Sequence, residues 1–317
     1  MKIANIRQLV LKNAKRLNIS TKNLEIQRFE NAYSNLVYKI SSGKKNVVLK
    51  VFNDSLVDEN KIAEKELALL QKFKGISPKV LFVDTLLGKP AIFEEFVAGS
   101  QLTGRRLSNE DVYQIAELLA KIHSAKIDVK IKNLLKRDYV KVPGENLENI
   151  IAWLKKVDNK NVFAPRIIKI YERIKNHYAA NLKPKRAICH GDFKLLNIVK
   201  THKGLKIFDW ELALIGDPAW EVAVFFYFAE HKFDKTFFSK QQLNTLLKTY
   251  LKLRPDTELK NRMHLYYCFM PLQNLLWNVR EYFAFNVLNE REIVSGAKEK
   301  LRKKIEKELA KLEVSLR

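Results

Sequence analysis

The stretch from residue 189 to residue 223 constrains the fold of this chain more than any other part of its sequence. Two apolar, strand-like runs in this stretch each end in a carboxylate, Asp192 after the first run and Asp209 after the second. Asn197 follows Asp192 by five residues, in a loop too short to carry it far away. We therefore expect the two acids at one edge of a small hairpin, with the amide between them.

These three side chains are the set that phosphoryl transfer from a nucleotide requires. One acid orients the attacking hydroxyl group and accepts its proton, while an amide oxygen and a second acid hold magnesium on the phosphates. A single His-Gly-Asp sequence is usually only a turn with a capping aspartate. Here it occurs together with a second acid at the required distance and with the turn Gly216-Asp217-Pro218, a combination that chance rarely produces.

The spacing His190-x-Asp192-x-Lys194-x-x-Asn197 is that of the protein-kinase catalytic loop. Three features depart from that pattern. Gly191 stands where the loop has arginine, Trp210-Glu211 follows Asp209 in place of Phe-Gly, and a Gly-Asp-Pro turn comes soon after. With these departures the stretch resembles the aminoglycoside phosphotransferase and choline kinase superfamily, the small-molecule branch of the kinase fold.

The resemblance extends from about Leu24 to Phe285 and implies an α+β fold of the two-lobed, protein-kinase-like type. A small antiparallel-sheet N-lobe with a leading helix and the nucleotide site is expected at residues 1–98. A larger, mainly helical C-lobe with the catalytic loop and the acceptor site is expected at residues 99–317. The implied activity is transfer of the γ-phosphate of ATP, with Mg²⁺, to a hydroxyl group of a small molecule.

The same resemblance implies roles for the residues of the catalytic stretch, as we call residues 189–223. Asp192 is the expected base, and Asn197 and Asp209 are the expected metal ligands. Lys194 is expected to neutralise the γ-phosphate, as its counterpart in protein kinases does. Asp217 is expected to be structural, accepting hydrogen bonds from the backbone of the catalytic loop.

Strand patterns precede the catalytic stretch. Residues 4–17 have helical spacing, and strands are predicted at residues 24–29, 36–40, 46–52, 79–84 and 90–96. The segment between the first two strands stands where a kinase-like fold has its phosphate-covering loop. Ser34 and Asn35 match the Gly-Gly-x-Ser-Asn pattern that is frequent in the family, whereas Asn31 and Ala32 do not.

Lys50 lies in the run Val-Val-Leu-Lys-Val-Phe, which is similar to the kinase strand whose lysine binds the α- and β-phosphates. The alternative is an ordinary solvent-facing lysine. The helix predicted at residues 61–73 favours the first interpretation, because it offers a glutamate to pair with Lys50. Glu66 is the expected partner, since apolar residues one and two turns later share its face, and Glu64 remains the alternative.

Two further regions are expected to bind substrates. Glu95 and Val97 lie in the expected connector between the lobes, where main-chain atoms would bind the adenine edge. Residues 264–283 loosely resemble the aromatic acceptor-site helix of choline kinases, although core packing is the favoured interpretation of this aromatic pattern. The expected acceptor is an amino alcohol, such as choline or ethanolamine, or a sugar.

Length and composition fit one two-lobed enzyme. The chain has 317 residues and 47% hydrophobic content, and no apolar run is long enough for a membrane span. The first residues do not resemble a signal peptide, so a cytoplasmic protein is expected. The two cysteines are too few for a disulfide framework or a structural zinc site.

The formal net charge of +23 leaves two further interpretations open. A basic surface attracts nucleic acid, so a nucleotide-binding scaffold that associates with RNA is an alternative, although not the favoured one. A lysine-rich composition without a nucleic-acid partner also explains the charge, and it is the favoured explanation. Apart from the charge, a protein kinase is a further alternative for the function. The missing Asp-Phe-Gly and Ala-Pro-Glu sequences argue against it.

Overall fold

The computed structural model describes residues 2–29, 35–52, 59–135, 142–158, 160, 162–179, 183–231, 238–288 and 295–315. The chain forms two compact units. The first comprises residues 1–137, 187–215 and 228–255, and the second comprises residues 138–186, 216–227 and 256–317. The lobe boundary expected after residue 98 stays a prediction.

Helices make up most of the regular structure in the described ranges. In chain order they are α1 (Ile3–Lys12), α2 (Ala14–Leu17), α3 (Glu59–Lys72), α4 (Asn109–His123), α5 (Val129–Leu134), α6 (Val142–Val157), α7 (Ala164–Ala179), α8 (Pro218–Glu230), α9 (Lys240–Leu253), α10 (Leu259–Leu288) and α11 (Ser295–Ser315). No helix in these parts of the chain is both long enough and apolar enough to cross a membrane.

The strands form one larger sheet and two small ones. They are β1 (Leu24–Arg28), β2 (Leu36–Ser42), β3 (Lys45–Val51), β4 (Val80–Leu86), β5 (Lys89–Glu95), β6 (Ser100–Gln101), β7 (Ala187–Cys189), β8 (Ile198–Thr201), β9 (Gly204–Ile207) and β10 (Leu214–Gly216). The larger sheet is antiparallel with the order β1-β2-β3-β5-β4. The predicted α+β fold is therefore confirmed.

Side-chain alternation divides β3 between the two faces of the larger sheet. Val47, Leu49 and Val51 are buried in a cluster with the apolar residues of α1. The residues between them project to the other face, because successive side chains of a strand point in opposite directions. Lys50 therefore lies on the face where Ile92 of β5 is buried in a cluster with residues of α3.

The leading helix differs from the prediction at one point. The sequence pattern predicts one helix over residues 4–17, but the structure has two, with Asn13 between α1 and α2. The amide of Asn13 donates hydrogen bonds to the carbonyl of Leu9 and to the carboxylate of Asp84, at 3.0 and 2.8 Å. Such side-chain bonds compete with the helical pattern, which explains the break.

The hairpin expected in the catalytic stretch is also different. The strand before Asp192, β7, pairs with β10, whereas the strand before Asp209, β9, pairs with β8. The expectation that the two acids end the two strands of one hairpin is therefore wrong. The turn between residues 201 and 204 is short enough to close a β8–β9 hairpin, and this hairpin lies between the two acids along the chain.

In the second unit a buried ion-pair network joins α8 to α10. Arg262 binds the carboxylates of Asp217 and Asp256, each at 2.8 Å. Asp217 also accepts hydrogen bonds from the hydroxyl of Tyr266 and from the backbone N–H of Ala219, at the start of α8. Asp217 was expected to bind the backbone of the catalytic loop, and these partners are different ones. Arg262 is 45 residues away along the chain, so local sequence could not identify it.

Candidate active site

Lys50 is held by two carboxylates in the first unit. Its Nζ lies 2.8 Å from both carboxylate oxygens of Glu66 and 2.8 Å from Oδ1 of Asp209. The side chains of Lys50 and Glu66 are 8% and 2% exposed, so little water screens this pair. The structure thus pairs Lys50 with Glu66 and leaves Glu64, the alternative partner, exposed to solvent.

The pKa values of this group follow from burial and from the opposite charges. Burial lowers the pKa of Lys50, but the carboxylates of Glu66, Asp209 and Glu211 outweigh that effect and raise it overall. Burial raises the pKa of Glu66 to about 6 against the attraction of Lys50. At neutral pH the lysine is therefore a cation and its partner Glu66 is ionised.

Asp192 is fixed by two neighbours in its own loop. The Nδ2 of Asn197 donates hydrogen bonds to the backbone carbonyl of Asp192 and to its Oδ2, both at 2.9 Å. Lys194 Nζ lies 2.8 Å from the same Oδ2. Both neighbours bind one carboxylate oxygen, which directs the other, Oδ1, away from them.

His190 connects the two halves of the catalytic stretch. Its Nδ1 accepts a hydrogen bond from the backbone N–H of Asp192 at 3.3 Å, and its Nε2 lies 2.9 Å from the carbonyl of Phe208. Because Nδ1 is the acceptor, Nε2 carries the proton and donates it to that carbonyl. His190 is fully buried, and its two hydrogen bonds fix the loop around Asp192.

Gly191 is required by the close approach of another part of the chain. Its φ is +83°, and a Cβ built on it would lie 2.0 Å from the carbonyl oxygen of Leu212. No side chain fits at this position, and L-residues rarely adopt this conformation. This explains why glycine stands where protein kinases have arginine.

Asp209 also has an unusual backbone, with φ 66° and ψ 67°. A non-glycine residue in this left-handed region costs free energy and is often found where a functional side chain must be aimed. The residue before it, Phe208, donates its backbone N–H to the carbonyl of Asn197 at 2.9 Å. Asp209 and Asn197 are therefore neighbours in space as well as members of one motif.

The oxygen atoms offered here fit a hard divalent cation. Asp209 supplies a carboxylate whose side chain is 40% exposed. Asn197 directs its Nδ2 to Asp192, so that its amide oxygen points the other way. Carboxylate and amide oxygens are the ligands that Mg²⁺ and Ca²⁺ prefer.

The end of the expected phosphate-covering loop is tied to this region. Asn35 donates a hydrogen bond from Nδ2 to the carboxylate of Glu211 at 2.6 Å, and Lys65 of α3 donates to the backbone carbonyl of Glu211. The other expected loop residue, Ser34, lies outside the described residues. Glu211 was not among the predicted site residues, although its position two residues after Asp209 was a signal.

The expected connector begins at the last residue of β5. The backbone N–H of Glu95 donates to the carbonyl of Lys79 at 2.9 Å. The side chain of Glu95 is also engaged, accepting from the backbone N–H of Lys79 at 3.0 Å. Val97 is half-buried in the extended segment that follows.

The aromatic segment of α10 has both buried and exposed members. Tyr266 and Phe269 are buried, as core packing predicts, whereas Trp277 is 62% exposed. Glu94, a buried acid next to Glu95, was not among the predicted site residues. A charged residue in an otherwise apolar part of a strand was the available signal for it.

Comparison with known proteins identifies a family that matches most of the chain. The model of the phosphotransferase enzyme family matches residues 25–255 of the chain. Among curated proteins, the Protein LicA homolog of Metamycoplasma hominis is 27% identical over 148 residues, which are 47% of this chain and 53% of that protein. The chain thus spans about half the length of this curated relative.

Two solved structures are similar over nearly their whole length. Choline kinase from Cryptosporidium parvum Iowa II has a TM-score of 0.70 at 13% identity, covering 99% of this chain and 97% of the kinase. Spectinomycin phosphotransferase, in complex with ADP and spectinomycin, has a TM-score of 0.66 at 14% identity, covering 97% of this chain and 98% of the other. At these identities the likeness shows the fold.

The predicted resemblance and the kinase-like fold are therefore confirmed. The family match includes the lysine on β3, the glutamate on α3, the catalytic loop and the second acid. The chain belongs to the phosphotransferase enzyme family.

Proposed function

We propose that this phosphotransferase moves the γ-phosphate of ATP, with Mg²⁺, to a hydroxyl group of a small molecule. The observation that carries the proposal is a continuous set of contacts within one compact unit. Lys50 contacts Asp209, the residue before Asp209 is hydrogen-bonded to Asn197, and Asn197 is hydrogen-bonded to Asp192. Residues for the nucleotide phosphates and a residue for the acceptor proton are thus neighbours.

Asp192 is the proposed general base. Asn197 and Lys194 hold its Oδ2, which leaves Oδ1 to accept a hydrogen bond from the acceptor hydroxyl and then its proton. The proton moves to Asp192 as the bond from the hydroxyl oxygen to the γ-phosphorus forms and the bond to the ADP oxygen breaks. Lys194 has a second proposed role, neutralising charge on the transferred phosphate.

The nucleotide is expected to bind on the Lys50 face of the larger sheet, within the proposed N-lobe of residues 1–98. Lys50 binds the α- and β-phosphates, and Glu66 holds the lysine in position. Ser34 and Asn35 cover the phosphates, and main-chain atoms of Glu95 and Val97 bind the adenine edge. The hydrogen bonds of Lys50 and Asn35 support these roles.

Asn197 and Asp209 are the proposed ligands of Mg²⁺. Their amide and carboxylate oxygens suit a hard cation, and the left-handed backbone of Asp209 supports a functional role for its side chain. When bound, the ion neutralises the phosphate oxygens and lowers the cost of bringing a nucleophile to them.

The proposed acceptor is an amino alcohol, such as choline or ethanolamine, or a sugar. The similarity to a choline kinase and to a spectinomycin phosphotransferase supports a small hydroxyl compound. The experiment is a screen of amino alcohols, sugars, nucleosides and aminoglycosides for stimulated release of ADP from ATP. We expect one class to raise ADP release at least tenfold over the acceptor-free rate, and no increase once EDTA removes Mg²⁺.

The first prediction concerns the base. Asp192→Asn is expected to lower kcat for phosphate transfer by about 100-fold or more, because the amide cannot accept the proton, while ATP still binds. Transfer is measured as ADP release with the best acceptor, and ATP binding by calorimetry. Asp128→Asn, the same change at an exposed helix cap outside the site, is the control. Transfer at the wild-type rate by Asp192→Asn would remove Asp192 from the mechanism.

A further inference from the structure

Glu94 is a buried acid for which the proposed phosphoryl transfer gives no role. It is 7% exposed and is the second-last residue of β5. The chain continues directly into Glu95 and Val97, whose main-chain atoms are proposed to bind the base. A polar group at this position therefore lies beside the proposed base site.

The strand pairing shows to which face Glu94 projects. Glu94 lies opposite Val48 of β3 and opposite Val80 of β4. Directly opposite residues of antiparallel strands project to the same face, and so do residues two apart in one strand. Glu94 therefore shares a face with Lys50, two residues after Val48. This is the face on which the nucleotide is expected.

Glu94 differs from the other buried acids described in the first unit, because no described residue pairs with its carboxyl group. No described residue donates a hydrogen bond to its carboxyl group or forms an ion pair with it. By contrast, Asp111 is 1% exposed and binds Lys200 at 2.6 Å and Arg105 at 3.3 Å. An unpaired buried carboxyl group costs free energy unless something else meets it. A ligand on this face would supply that partner.

Burial, with a smaller contribution from neighbouring charges, keeps this carboxyl group protonated. Burial, followed by the charge of Glu66, raises the pKa of Glu94 to about 8, against the attraction of Lys50. Lys50 already forms ion pairs with Glu66 and Asp209, and Glu95 adds another negative charge. At neutral pH the group is mainly an uncharged acid, which offers one hydrogen-bond donor and one acceptor side by side.

We propose that Glu94 binds the base of the nucleotide as an uncharged carboxylic acid and so makes the site prefer adenine to guanine. On the edge that carries N7, adenine has the N6 amino donor beside the N7 acceptor. The same edge of guanine has two acceptors, O6 and N7. The acid complements the first pattern and leaves its own acceptor unmatched against the second. This inference rests on the proposed function, because it assumes that the Lys50 face binds a nucleotide.

The test is the ratio of the dissociation constants of GDP and ADP, measured by calorimetry at pH 7 without an acceptor. Glu94→Gln keeps one donor and one acceptor side by side, so this variant is expected to retain the wild-type preference for ADP within about threefold. Glu94→Met keeps the length of the side chain but removes both groups. The preference is expected to fall by about tenfold, the size of one buried hydrogen bond.

Two controls accompany this test, a variant at an exposed glutamate and a check that Glu94→Met folds. Glu25→Gln, an exposed glutamate on β1 of the same sheet, is expected to leave both dissociation constants unchanged. Glu94→Met is expected to fold, because replacing an unpaired buried acid by an apolar group removes a desolvation cost. A variant that unfolds would show that Glu94 has a structural partner, and would overturn the proposal.

The remaining outcomes separate this inference from the proposed function. A Glu94→Met protein with the wild-type preference overturns the role of Glu94 but leaves the phosphotransferase proposal standing. A wild-type protein that binds GDP as tightly as ADP does the same. A wild-type protein that binds neither nucleotide contradicts both proposals.

Discussion

At the scale of single residues, the site depends on acids whose surroundings differ. Glu66 is buried but ionised, because Lys50 lies 2.8 Å from both of its oxygens. Glu94 is buried on the same face, where no described lysine or arginine forms an ion pair with it, and burial raises its pKa further, to about 8. At neutral pH Glu66 is thus ionised and Glu94 is mainly protonated, although both are buried glutamates on one face. The ion pair with Lys50 makes the difference.

The contact between Lys50 and Glu66 leads to a second prediction. Glu66→Gln is expected to lower kcat/KM for ATP by about tenfold to 100-fold, because an amide holds the lysine less firmly than a carboxylate does. The measurement is steady-state ADP release with varied ATP. Glu64→Gln on the same helix is exposed and serves as the matched control. Equal losses in the two variants would show that the ion pair is not needed for catalysis.

The raised pKa of Glu94 leads to a third prediction, for the protein without nucleotide. In the unfolded chain Glu94 ionises near its ordinary value of 4.5, but in the folded protein only near 8. Between these pH values the folded state binds more protons, so this group makes the protein less stable as pH rises. The loss is about 1.4 kcal/mol for each unit by which the two pKa values differ.

Glu94→Gln removes this titration. Its free energy of unfolding, measured with urea from pH 5 to pH 9, is expected to increase relative to that of the wild-type protein as pH rises. Glu25→Gln should run parallel to the wild-type protein over the same range. A pH-independent difference between Glu94→Gln and wild type would mean that Glu94 is ionised in the folded state throughout.

At the scale of elements, the catalytic stretch is held together by close backbone contacts. Gly191 packs against the carbonyl of Leu212, and His190 connects the backbone of Asp192 to that of Phe208. The strands β7 and β9 end near the two acids but belong to different small sheets. Loop contacts, and not one shared hairpin, therefore hold the acids in position.

A fourth prediction tests the close approach at Gly191. Gly191→Ala is expected to lower both stability and kcat, because the new Cβ would meet a carbonyl oxygen at 2.0 Å. Gly43→Ala, in the β2–β3 turn, has a similar positive φ but no atom within 4 Å of its Cβ. It measures the backbone cost alone, about 1–2 kcal/mol. Equal losses of stability in the two variants would contradict a steric role for Leu212.

At the scale of the whole molecule, the net charge of +23 is the property without an assigned role. Nonspecific attraction of polyanions by such a charge weakens steeply with salt. A phosphotransferase with a small acceptor does not need this attraction. The family match and the contacts around Lys50 favour the enzyme over a nucleic-acid scaffold.

The fifth prediction distinguishes these two uses of the charge. Slow ATP hydrolysis with Mg²⁺ is expected to change less than twofold when RNA is added at physiological salt, whereas retention on heparin should disappear at high salt. Hydrolysis is measured as ADP formed with and without RNA. Strong, salt-resistant binding to RNA with altered hydrolysis would support the scaffold.

Much of the fold and of the site could be predicted, because the signals are local. The alternation of apolar residues predicts the five strands of the larger sheet, and the spacing from His190 to Asn197 predicts the catalytic loop. Helical spacing limited the predicted partner of Lys50 to two glutamates, Glu66 and Glu64. The break at Asn13 was missed, because it depends on a carboxylate far along the chain.

The sequence by itself therefore determined the fold class, the family and the residue types of the site, since these depend on periodicity and on short motifs. Only the tertiary structure decided which strands pair around the acids, and which glutamate reaches Lys50. It also decided that Glu94 is buried and that none of the residues in the described ranges pairs with it. The physical reason is that burial and electrostatic surroundings come from residues distant in the chain, which local spacing does not encode.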